Sequence, residues 1–77
     1  MRYDVRRMLI ARGWAQDGEW FMRKNNVLWT ETAGRASGLD GPDGRYVVEF
    51  ASDVPARVIV AACEAAANTG PTQGSAA

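Results

Sequence analysis

Histidine is absent from this 77-residue chain. That absence excludes imidazole general bases, histidine metal ligands and histidine pH switches. A lone cysteine, Cys63, rules out an internal disulfide and points to a reducing, cytoplasmic compartment. Its helical setting beside Glu64 suits a buried thiol better than a nucleophile, because a neighbouring carboxylate raises a thiol pKa. No apolar run approaches the ~18 residues of a membrane span. Arg2, Arg6 and Arg7 open the chain, but the apolar stretch behind them breaks at Arg12 and Gly13, which is unlike a secretory leader. Surplus charge is lacking as well: nine Lys and Arg balance nine Asp and Glu, which excludes a uniformly basic nucleic-acid or membrane binder. Large aliphatic side chains are scarce, since Ala supplies 13 residues and Leu, Ile, Val and Phe together only 14. The core is therefore thin, and a net stability of roughly 3 to 5 kcal/mol is expected at this size.

What is present sorts into alternating elements. Residues 3–12 favour a helix with Val5, Met8 and Leu9 on one face, closed by Gly13 and followed by Trp14, which is placed to fold back on the helix. Arg2 and Arg6, four apart, read as a solvated flank. The clearest local signal is Glu19–Lys24, Asn25-Asn26, Val27–Glu31: two Asn tolerate the left-handed backbone of a two-residue hairpin turn, and the flanks are rich in aromatic and β-branched residues. With that turn Lys24 pairs with Val27, Met22 with Trp29 and Trp20 with Glu31. Trp20, Met22, Val27 and Trp29 then share one face, and Phe21, Arg23, Leu28 and Thr30 the other.

Residues 32–44 hold four Gly and Pro42 and read as a flexible loop with Arg35, Leu39 and Asp40 at its tip. Residues 45–51 alternate as a strand, with Tyr46, Val48 and Phe50 as the expected core face. Ser52 and Asp53 are candidate caps, and Pro55 suits the first turn of a helix over 56–67. On that helix Val54, Val58, Ala62 and Ala65 form the expected buried stripe, Ile59 and Ala66 lie beside it, and Val60 and Cys63 lie outside it. Residues 70–77 have the composition of a disordered tail. The sum is one α+β domain over 1–69: a two-layer sandwich of a three-stranded antiparallel sheet with two helices on one face, in the order α-β-β-β-α.

Catalytic patterns are missing. The carboxylates form no recognisable pair, the loop lacks a P-loop ending, and Asp40 and Asp43 miss the spacing of a calcium loop. No catalytic residue, cofactor, metal or small-molecule substrate is expected. Two binding surfaces compete instead. The open sheet face offers Phe21, Leu28 and Val47 among Arg23, Thr30, Arg45 and Glu49, with Arg35 and Leu39 in the adjoining loop, an apolar stripe rimmed by charge that suits a protein partner or a homodimer. The alternative is nucleic acid: residues 1–24 carry six cations against three carboxylates, a local +3, with Arg2, Arg6, Arg7, Arg23 and Lys24 interleaved with aromatics.

The segments Gly-Arg-Tyr-Val-Val-Glu-Phe and Asp-Val-Pro-Ala-Arg-Val-Ile-Val-Ala-Ala-Cys-Glu resemble small proteins encoded by bacteriophages of actinobacteria. The resemblance implies a non-enzymatic accessory protein that meets a host or phage protein in the host cytoplasm. Leu-Ile-Ala-Arg-Gly-Trp and the element order are similar to HicA-type mRNA interferase toxins and double-stranded-RNA-binding domains. HicA toxins use the histidine of a Gly-Ser-His motif after the first helix. Here Gly13-Trp14 stands with no histidine behind it, so that likeness implies a fold and an RNA-binding surface without cleavage.

Overall fold

In the computed structural model of the chain, which describes residues 2–32, 34 and 36–68, the first helix is α1, Tyr3–Ala11. Its end is set by Gly13, whose φ of 87° is the left-handed conformation a residue with a side chain adopts at a cost. Gly13 N–H bonds to Ile10 C=O at 3.0 Å and Trp14 N–H to Leu9 C=O at 3.0 Å, the paired bonds of a Schellman cap. Trp14 and Leu9, joined by that cap, are both buried in the core, so the expected fold-back is found.

Five strands follow: β1, Ala15–Gln16; β2, Phe21–Lys24; β3, Val27–Glu31; β4, Ser37–Asp40; and β5, Val47–Phe50, and the second helix, α2, Ala56–Asn68, closes the order. The strands form a single antiparallel meander, β1-β2-β3-β4-β5. The class is α+β, but the sheet has five strands where three were expected. Asn25 and Asn26 take φ of 51° and 65°, and the hairpin pairs Lys24 with Val27 and Met22 with Trp29, as the turn dictates.

The largest correction concerns residues 32–44. Ser37–Asp40 pairs on both sides, Leu39 lying between Trp29 of β3 and Val48 of β5. Ser-Gly-Leu-Asp has little intrinsic preference for a strand, and its state is imposed by two neighbouring ladders and by the burial of Leu39. Pro42–Gly44 then makes a 3-10 turn.

Alternate residues of the sheet face opposite ways, and Met22, Val27, Trp29, Leu39 and Phe50 enter one buried cluster with Val5 and Leu9 of α1 and Ile59, Val60 and Cys63 of α2. Three core expectations shift. Trp20 is partly exposed at the sheet's end. Tyr46 lies before β5, with its ring laid on Gly41, where an added Cβ would come 2.5 Å from the ring. Val48, on the edge strand, is 37% exposed. On α2 the buried stripe is Ile59, Val60, Cys63, Ala66 and Ala67, and Val58 faces outward. Alanine fits either side of a helix, so tertiary packing rather than periodicity chose between Val58 and Val60. Pro55 C=O accepts from Val58 and Ile59 N–H, which puts Pro55 at the cap position ahead of the first turn. Residues 70–77, expected to be a disordered tail, lie outside the described residues.

Arg2 and Arg6 overturn the expectation of a solvated flank: both are buried. The reason is Glu31, whose side chain is fully enclosed at the inward end of β3. Arg2 N–H donates to Glu31 Oε2 at 2.7 Å, and Arg6 Nη1 stands 3.4 Å from Oε1. The Arg2 guanidinium also forks onto Asp4 and reaches Val54 C=O at 2.8 Å, while Arg6 Nη1 reaches Glu19 C=O at 2.6 Å. A buried carboxylate without such donors would be very costly. At the opposite, hairpin end of the sheet Glu64 accepts from Trp14 Nε1 at 2.7 Å and faces Lys24 Nζ at 3.4 Å.

Candidate protein-binding face

The uncovered face of the sheet is assembled by register alone. One row runs Phe21, Thr30, Gly38, Glu49 across β2 to β5; the next runs Ala15, Arg23, Leu28, Asp40, Val47 across all five strands. Five of the expected residues, Phe21, Arg23, Leu28, Thr30 and Val47, therefore stand on one face. Phe21 is 38% and Val47 64% exposed, while Leu28 and Thr30 are half-buried. Gly38 leaves a notch between Thr30 and Glu49. At one end of the face Trp20, Phe21, Thr30, Glu31 and Thr32 line a shallow apolar hollow.

Charge on this face is mixed. Arg23 Nε pairs with Asp17 at 2.9 Å, with both side chains about half exposed, so the pair adds little to stability. Asp40 and Glu49 stand on the same two rows as the apolar residues. An apolar centre among alternating charges suits a protein surface better than a polyanion.

One expected contact residue falls elsewhere. Leu39 is buried between Trp29 and Val48 and offers no surface. Arg35 lies outside the described residues. The cations proposed for nucleic acid do not gather: Arg2 and Arg6 are committed to Glu31 and its surroundings, Lys24 is tied to Arg12 C=O at 2.7 Å and to Glu64, and Arg23 is paired with Asp17. Arg7 is exposed on α1.

Burial, and then the Glu64 carboxylate, push the Cys63 thiol up to about 12, so it holds its proton in the folded chain. Among the described residues no group of three or more His, Cys, Asp or Glu is placed to hold a metal ion, and no helix is long and apolar enough to cross a membrane.

The buried Arg2–Glu31–Arg6 cluster escaped the sequence reading, although its signal was present. The hairpin register places Glu31 on the inward row with Met22 and Trp29, and an inward carboxylate requires donors. The chain matches no protein-family model, no curated protein and no solved structure.

Proposed function

We infer that the chain is a small, non-enzymatic protein-binding module whose contact surface is the open sheet face. The observation that carries this reading is the placement of Phe21, Leu28 and Val47 on one uncovered face, rimmed by Arg23, Thr30 and Glu49. Resemblance to actinobacteriophage proteins suggests a host or phage protein as the partner and the host cytoplasm as the place of meeting.

Affinity capture from an actinobacterial lysate, with wild-type chain beside Phe21→Asp and Leu28→Asp, tests it. Both variants should keep the wild-type circular dichroism spectrum. A specific partner should be retained by the wild type and lost by both; the same partner retained by both folded variants would overturn the reading. Titration with duplex RNA is the counter-test. Binding that falls steeply with added salt would move the function to nucleic acid.

A further inference from the structure

The two edges of the sheet are unlike. β1 closes one edge with two residues, too few to template another strand, whereas β5 closes the other with four. In an antiparallel ladder alternate residues turn both backbone groups to the same neighbour. Gly41 N–H bonds to Tyr46 C=O at 2.8 Å, and the register pairs Leu39 with Val48 and Ser37 with Phe50. Tyr46, Val48 and Phe50 therefore address β4, and Val47 and Glu49 turn their N–H and C=O groups outward. Val47 and Val48, on opposite faces, are 64% and 37% exposed, and no Pro, Lys or bulge blunts this edge. Among the described residues neither Arg45 nor Glu49, both exposed, has an ion-pair partner.

We propose that β5 pairs antiparallel with β5 of a second copy of this chain, about a two-fold axis through Val47. The sequence Arg45-Tyr46-Val47-Val48-Glu49 is self-complementary in that register. Val47 meets Val47, Tyr46 meets Val48, and Arg45, which stands in the right-handed helical conformation at the end of the 3-10 turn just ahead of β5, brings its long side chain beside Glu49 of the other copy. Outward backbone groups also meet outward groups: Val47 exchanges two hydrogen bonds with its counterpart. Arg45 N–H is already taken by Pro42 C=O at 3.2 Å and is not required. Centring the axis on Arg45 or Glu49 would oppose like charges, and centring it on Tyr46 or Val48 would leave Arg45 and Glu49 unmatched. The product is a ten-stranded sheet in which two open faces become one. An interface of one short strand pair is small, so association is weak and concentration-dependent.

Sedimentation equilibrium of the full chain from about 10 µM to about 1 mM tests this. The wild-type mass should rise from 8.4 kDa toward twice that value. Arg45→Glu alone and Glu49→Arg alone should each weaken association about tenfold or more by setting like charges opposite one another, and the double variant should restore it. Both positions are exposed, and unchanged circular dichroism would show that each variant is folded. A wild-type chain that stays at one copy throughout overturns the proposal and leaves the edge to a strand of another protein. Dimerisation indifferent to the single reversals, or not restored by the double, overturns the register. Phe21→Asp, which tests the partner-binding face, should leave self-association unchanged, so the two readings fail separately.

Discussion

The two faces of the sheet are built from the same strands and differ in almost everything else. On the covered face Met22, Val27, Trp29 and Leu39 are sealed from solvent, and a carboxylate, Glu31, is sealed in with them. One residue along each strand, Phe21, Leu28, Thr30 and Val47 stand on a face that no helix covers. The difference assigns stability to one set of positions and leaves the other free for contact. Substitutions should therefore divide sharply between neighbours in sequence.

Glu31→Ala is expected to have the largest effect. It removes the counter-ion of the buried Arg6 guanidinium, which among the described residues keeps only its bond to Glu19 C=O, and the acceptor of the Arg2 N–H, at a cost of about 3 to 5 kcal/mol, comparable with the whole stability of a chain this size. The variant should be largely unfolded at 25 °C by far-ultraviolet circular dichroism; a native spectrum with an unchanged urea midpoint would show that the cluster is dispensable. Leu39→Ala comes next, at about 2 to 5 kcal/mol in urea denaturation, because it empties a site walled by Trp29 and Val48. A loss under about 1 kcal/mol would mean that β4 is a loosely attached segment after all. Phe21→Thr, on the open face, should cost about 1 to 2 kcal/mol, less than Leu39→Ala, because the ring is 38% exposed and only part of its area is buried, while a β-branched residue suits a strand. A larger loss would show that the open face serves folding too.

Smallest of all is Ser37→Ala. Among the described residues the Ser37 hydroxyl is buried with no hydrogen-bond partner, so its removal should cost nothing and gain at most about 1 kcal/mol. Measurable destabilisation would break the simple division, because it would assign the hydroxyl a partner.

How much of this was legible in the sequence depended on whether the determining contact is local. The Asn25-Asn26 turn fixes its own register within four residues, so the pairing of β2 with β3 and the composition of the open face could be read directly. Gly13 and Trp14 likewise announce a cap. β4 could not be read, because Ser37 and Gly38 resist a strand and only β3 and β5 together impose one. Arg2 and Arg6 were misread for a related reason. An arginine at a helix flank is solvated or buried according to what stands across from it, and Glu31 lies 25 residues from Arg6. The side of α2 that turns inward was equally ambiguous, since an alanine-rich helix offers several faces of similar size.

The enclosed thiol of Cys63 gives this chain a built-in clock. With its proton held to about 12 and its side chain in the core, Cys63 meets an alkylating reagent only when the structure opens. No second thiol complicates the count. The ratio of its labelling rate to that of the unfolded chain reads the fraction of time the core stands open, residue-specific and without an added probe. Any partner or second copy that holds the native state closed should slow that clock in proportion to how tightly it binds.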